Sequence, residues 1–277
     1  MSGSSVTNTA LPAAPTRQVW QRHNRGQKLA RFGVWLFVVV AIVQSIRSIQ
    51  VIPEFLLDAP EQMRDLFERM WPIAWSHYPK GVQPALIETL HIASLGTILA
   101  VIMAMPFGVM AARNFTRSRW LNALAHLVLV SSRSVNSLVW ALLFVAIFGP
   151  GALAGTLAIA FRSVGFVGKL IGEAMEEAAA GPIEALSAAG ASKASQWWYG
   201  FWPAIRPAFW SILLLRWDIN VRESAVLGLV GAGGIGMALD TALNLFQWDR
   251  VAVVLFAIFA VVVIAEVLVT YVRKRVL

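Results

Sequence analysis

The chain has 277 residues, 58% hydrophobic and 14% charged, with a formal net charge of +8 and no cysteine. A soluble domain carries about 45–50% apolar and about 25% charged residues, so this composition excludes an ordinary soluble fold and predicts an all-α, polytopic transmembrane bundle. The missing cysteines exclude disulfides and thiolate metal sites; the positive charge clusters beside apolar runs instead of forming a nucleic-acid footprint.

Residues 1–16, MSGSSVTNTALPAAPT, are small, polar and proline-containing, the composition of a disordered tail. Arg17, Arg22, Arg25, Lys28 and Arg31 follow, with no acid before Glu54. Residues 1–31 are therefore expected as a basic cytoplasmic tail and 32–277 as the membrane domain. A cleaved signal peptide is not expected, because the first apolar run begins only near Phe32 and no small-residue cleavage site follows it.

Apolar runs close to the roughly 20 residues that cross about 30 Å of hydrocarbon fall at about 32–50, 84–112, 120–148, 151–172, 205–231 and 248–272. Six crossings put both termini on one side. Arg113, Arg117 and Arg119, and the closing Arg273, Lys274 and Arg275, fall on that side too, which marks it as cytoplasmic. Residues 53–83 mix Glu54, Asp58, Glu61, Asp65 and Glu68 with Arg64, Arg69 and Lys80, an amphipathic segment suited to the outer membrane surface. Gly96, Gly108, Gly155, Gly165, Gly168 and Gly172 permit close helix packing, whereas VAVVLFAIFAVVVIAEVLV near the end reads as lipid-facing. No internal repeat is evident, which counts against secondary transporters built from inverted repeats.

Ionisable residues inside spans are costly and are functional candidates by default. Arg133 falls near the middle of the third run, with Asn136 one turn on as a neutral donor and Ser137 beside it. Arg216 falls near the middle of the fifth, followed by Asp218, Arg222 and Glu223. Arg216 and Asp218 are two apart and need other partners, while Asp218 and Arg222 are four apart and share a face. Two readings stay open: these charges pair between helices and fix packing, or they line an electropositive path. His91 and His126 stand alone on apolar helices and read as packing residues; Glu88 reads as reaching the interface.

GLVGAGGIG, residues 228–236, fits the GxGxxG dinucleotide fingerprint through Gly231, Gly233 and Gly236. That fingerprint needs a strand before it and a helix after it, and here the flanks are membrane runs. Gly231, Gly233 and Gly234 are instead expected either to break a helix at the outer boundary or to border a solute path with free N–H groups.

The longest cytoplasmic insertion is EEAAAGPIEALSAAGASKASQWWYGFWPAIRP, residues 176–207. Pro182 and Glu184 suit the first turn of a helix, Gly190 its end, and Ser192 the cap of a second helix through Trp197, Trp198 and Tyr199. Glu184-Ala185-Leu186, then Gly190, then Pro203 thirteen residues later resembles the EAA loop of binding-protein-dependent ABC importer permeases. The resemblance implies a coupling helix within 181–203 that docks in a groove of an ATPase subunit, with Glu184, Ala185, Gly190 and Pro203 carrying the motif. Leu186 stands where the pattern has its second alanine, Gly200 where it has isoleucine, and Trp202 where it has leucine.

RSVNSLVWALLF (133–144), GPIEALSAAGAS (181–192), RWDINVRESAVLG (216–228) and VGAGGIG (230–236) resemble phosphonate-type permeases, which import phosphonates and in some members phosphite or hypophosphite. This implies a type I ABC importer permease of about six spans in the bacterial inner membrane. It implies a second permease subunit, identical or related, two cytoplasmic ATPases that bind ATP and Mg, and an extracytoplasmic solute-binding protein. Arg133, Asn136, Ser137, Arg216, Asp218, Arg222 and the glycine turn are then candidates for the path, where guanidinium groups offer directed donors to an anion at weak sites that permit release. Relatives often carry an acid at the position of Ser137, whose loss makes the path more positive. No cofactor is expected in the chain itself, for no metal cluster, Ser-His-Asp order or Walker GxxxxGK[ST] occurs. Two competing readings are a methionine-type permease, which shares a similar glycine stretch, and an ATP-independent secondary transporter.

Overall fold

The computed structural model describes residues 25–49, 53–116 and 118–276. The expectations for residues 1–24, Arg17 and Arg22 among them, and for Arg117 lie outside the described residues. Two compact units divide near Gln62.

In the first unit, α1 (Arg25–Ser48) is apolar on every side from Phe32 to Val43, and Leu29, Trp35, Phe37 and Ile46 are all exposed along it. An all-round apolar helix of this length has lipid as its solvent. It begins ahead of the run expected at 32, so Lys28 and Arg31 are helical and not part of a tail: QKLAR holds good helix formers and no breaker. Helix α2 (Pro53–Met70) spans the unit boundary and is strongly amphipathic. Arg64 pairs with Glu68 at 2.9 Å and Arg69 with Asp65 at 2.8 Å, one turn apart on its polar side, while Phe55, Leu56 and Phe67 are exposed.

The second unit is built on a central parallel pair, α3 (Gln83–Ala111) and α6 (Ala152–Glu176). Their backbones touch because the crossing points lack side chains: a β-carbon on Gly108 would stand 2.9 Å from the Gly168 carbonyl oxygen. Small residues at such crossings let dispersion replace a hydrophobic drive that lipid does not supply. Around one end of the pair Leu129, Val164, Val167, Ile171, Phe201 and Ile205 form a buried cluster; around the other, Ile92, Phe144, Ile159 and Leu227 do. Helix α9 (Trp202–Leu227) packs on both partners. After α10 (Ile235–Asn244), α11 (Trp248–Val276) buries Val253, Val254, Ala257 and Ala265 and leaves Phe256, Phe259, Ile264 and Leu268 exposed. Among the described residues, five helical segments are long and apolar enough to cross a membrane, and six if one bent pair counts as a span.

That bent pair corrects the third predicted span. Residues 120–148 do not form one helix: α4 (Arg119–Ser134) and α5 (Ser137–Phe148) meet at 88°. Val135 and Asn136 are extended, and the Asn136 side chain accepts the Leu138 N–H at 3.0 Å. An asparagine that caps the next helix competes with continuing the previous one. Arg133 therefore lies in the last turn of α4, beside the bend, and not within a continuous helix.

Candidate functional site

Three regions collect most of the residues singled out from the sequence, and Arg133, Asn136 and Ser137 lie apart from them. The first is a polar seam halfway along α3, α6 and α9. Arg216 is 4% exposed; its Nε donates to Ser163 Oγ at 2.8 Å and its Nη2 lies 3.4 Å from Glu223 Oε2. Its guanidinium also sits over the Phe166 ring, 5.4 Å from the centroid. Ser163 donates on to Asn220 Oδ1 at 3.2 Å, and Asn220 Nδ2 to Thr97 Oγ1 at 2.7 Å. The relay ends at the Ala93 carbonyl, 2.6 Å from Thr97 Oγ1. Trp217 Nε1 reaches Ser94 Oγ at 3.0 Å in parallel. Each link satisfies a polar group that lipid could not, and together they fasten three helices.

The other Glu223 oxygen pairs with Arg162 Nη1. Two guanidinium groups thus share one carboxylate, and the cluster carries one excess positive charge. Asp218 pairs with Arg222 on the same face, as their spacing requires, and Asp218 Oδ1 is buried without a partner. Sequence reasoning missed Arg162. It is a cation at the middle of the 151–172 run, and the cost of an intramembrane charge was signal enough to single it out. Ser163, Asn220 and Thr97 carry no such signal, because only the crossing of three helices makes them neighbours.

Arg133 is not in this seam. It is exposed and lines a groove of about 230 Å³ with Arg113, His126, Lys169, Glu173 and Glu176. In that groove Lys169 pairs with Glu173 at 3.2 Å, and Glu176 accepts the Arg113 backbone N–H at 2.9 Å. Ser132, beside Arg133, is inserted into the ladder of α6: it accepts the Gly165 N–H at 3.1 Å and donates to the Phe161 carbonyl. Asn136 serves its own helix as a cap, and buried Ser137 donates to it at 3.4 Å.

The second region is the glycine turn. Gly231, Gly233 and Gly234 have φ of 84°, 84° and 71°, a conformation that side chains resist. A β-carbon on Gly233 would lie 2.7 Å from Ala152 N, and one on Gly234 2.6 Å from Thr89 Oγ1. The Gly231 carbonyl accepts Gly151 N–H at 2.9 Å, and Thr89 Oγ1 accepts Ile235 N–H at 2.7 Å. The turn is pressed against the starts of α3 and α6, with Gly233 and Gly234 buried. A helix, α9, precedes it, so it is no part of a βαβ unit.

The third region is the bend between α6 and α9. Helix α7 (Ala180–Ala188) closes with Gly190 at φ 76°, where Ala191 N–H reaches Leu186 O and Gly190 N–H reaches Ser187 O, both at 3.0 Å, the paired bonds of a Schellman cap. Ser192 Oγ then accepts Ser195 N–H at 3.2 Å and starts α8 (Lys193–Ser195). This passes through a wider turn, 196–201, directly into α9, with exposed Pro203 at its start. Phe115 braces the base edge-on to Trp197 at 6.2 Å and to Phe201 at 5.5 Å, with Lys193 Nζ 5.2 Å from its own ring. Glu184 and Ala185 are exposed, and no residue of α7 is fully buried.

Two departures from the EAA pattern touch each other. A β-carbon on Gly200 would stand 3.2 Å from Leu186 Cδ1 and 3.3 Å from Ile183 Cγ1. The larger side chain at 186 fills the room left by the missing one at 200, a volume-conserving exchange. Gly200→Ile is expected to dislodge α7 and cut activity about tenfold. Leu186→Ala with Gly200→Ile is expected to restore it; a double variant no better than the single would show that the two positions are uncoupled.

The family model for the binding-protein-dependent transport system inner membrane component matches residues 104–277. The chain is 34% identical over 275 residues to the phosphite transport system permease protein PtxC of Stutzerimonas stutzeri, covering 96% of each chain. It is 38% identical over 200 residues to the putative phosphite transport system permease protein HtxC of the same organism, covering 70% of this chain and 71% of that one. Among solved structures it resembles the MetNI methionine ABC transporter in an inward-facing conformation, with TM-score 0.62 and 19% identity, over 71% of this chain and 96% of that one.

Proposed function

Because the chain belongs to the family of binding-protein-dependent transport system inner membrane components, and so is a permease subunit of an ABC transporter, we propose that it admits a phosphorus oxyanion: phosphonate, phosphite or hypophosphite. The observation that carries this is the near full-length kinship with a phosphite permease, and the excess of guanidinium over carboxylate at mid-bundle agrees with it. A zwitterion such as methionine has less use for net positive charge, and the likeness to the methionine transporter lies in the fold.

We place the exposed α7 on the cytoplasmic side, with both termini, since Arg113, Arg119 and the basic residues 273–275 lie at that end. There α7, with Glu184, Ala185 and Gly190, presents a stiff knob to an ATPase subunit that binds ATP and Mg and does the hydrolysis. A second permease, identical or related, completes the path, and an extracytoplasmic binding protein delivers the solute. ATPase closure moves α7, which packs on 196–201 through Ile183 and Leu186, and the continuous helical run from α8 through 196–201 into α9 passes that motion to the helix carrying Arg216, Asp218 and Arg222. Arg133, Asn136, Ser137 and the turn at Gly231, Gly233 and Gly234 are assigned to the borders of the path.

Uptake of phosphite by cells carrying the complex is expected to survive an uncoupler and to stop on ATP depletion. Collapse with the ion gradient would place the protein among secondary transporters; uptake of methionine in preference to phosphite or aminoethylphosphonate would overturn the substrate reading.

A further inference from the structure

We propose that Arg162 is the residue that meets the transported anion in mid-membrane, and that Glu223 is a built-in counter-ion that keeps the encounter weak. This rests on the reading of the substrate as a phosphorus oxyanion. Two arginines share Glu223, but they are placed differently: the Arg216 side chain is 5% exposed and the Arg162 side chain 29%. Arg216 is held on its remaining sides by Ser163 and the Phe166 ring, whereas Arg162 has Glu223 as its ion-pair partner and an Nε buried without any hydrogen bond. One guanidinium is fixed in the seam; the other has donor capacity to give.

Its position excludes lipid as the neighbour of its exposed part. Arg162 lies near the middle of α6, where a charge must face protein or water. Its base is fixed. The Phe161 carbonyl before it is held by Ser132, and Ser163 after it is locked between Arg216 and Asn220. A side chain on so rigid a base swings at its own torsions without disturbing the helices.

The exchange leaves no charge bare. A phosphorus oxyanion accepts two parallel N–H groups from a guanidinium. As it arrives, Arg162 turns from Glu223 to the solute, and Glu223 stays paired with Arg216. The carboxylate then competes for Arg162 and releases the anion, which a conducting site requires. With no Glu223, two free guanidinium groups would hold the solute too tightly to let it pass.

The test uses the full complex, with its ATPase and binding-protein partners, in proteoliposomes, with phosphite and methylphosphonate as probes. Arg162→Gln is expected to lower uptake at least tenfold at wild-type levels of assembled complex. Arg162→Gln combined with Glu223→Gln keeps one excess positive charge, on Arg216, and is expected to stay as impaired. Recovery in the double variant would mean that Arg162 serves only to neutralise Glu223, and unchanged uptake in the single variant would overturn the proposal outright. If Arg162→Gln does not assemble, Arg162→Lys decides: a raised apparent KM upholds the contact and wild-type kinetics overturn it. A wild-type complex that moves neither probe sinks the substrate reading and this inference together; one that moves both while Arg162→Gln is unaffected sinks this inference alone.

Discussion

Replacing Glu223 by alanine is expected to destabilise the assembled permease by roughly 3–5 kcal/mol, the cost of leaving a buried charge without its partner. The carboxylate faces two guanidinium groups, and one of them, Arg216, has almost no solvent to turn to. Removing the carboxylate strands both and lets them repel each other. Thermal unfolding of the purified complex would register the loss as a large fall in midpoint or as failure to assemble. A companion variant separates charge from packing: Glu223→Ala with Arg216→Leu removes the buried cation as well and is expected to recover much of the stability, because an apolar replacement for a buried pair is often neutral or better. A midpoint within a degree or two of wild type for the single variant would mean that the seam does not hold the helices together.

Glu184→Lys and Gly190→Trp are expected to abolish coupling while leaving the protein in the membrane. Both positions are exposed, so neither change disturbs a core. Gly190 sits at φ 76°, where a side chain costs about 1–2 kcal/mol; the strain re-aims the end of α7, and the indole adds bulk to the face offered to a partner. Glu184→Lys reverses a charge at the tip. Solute-stimulated ATP turnover in the purified complex is expected to fall at least tenfold with assembly of the membrane subunits preserved. Normal stimulation in either variant would remove α7 from the coupling path.

How much of this was legible in the sequence depends on how far apart the interacting atoms lie along the chain. Composition and apolar run length reported the membrane, because lipid imposes one solvent on every residue it touches. The α7 cap at Gly190, the Ser192 cap and the Asp218–Arg222 pair were readable because each is closed within a few residues. The break at Asn136 was equally local, yet the surrounding run was greasy enough to hide it, and with it the true place of Arg133. The convergence of Arg162, Arg216 and Glu223 was not readable at all. Arg162 is contributed by α6 and the other two by α9, and periodicity says nothing about which helix a given face will meet.

The sequence by itself therefore determined the solvent, the helices, the exposed bend and the kinship. The tertiary structure alone decided which charges share a carboxylate, that Leu186 answers for Gly200, and that Gly233 and Gly234 pack against the starts of α6 and α3. The reason is physical: hydropathy and capping act over a few ångströms of chain, whereas buried charge is settled by whatever the crossing of two helices brings within reach.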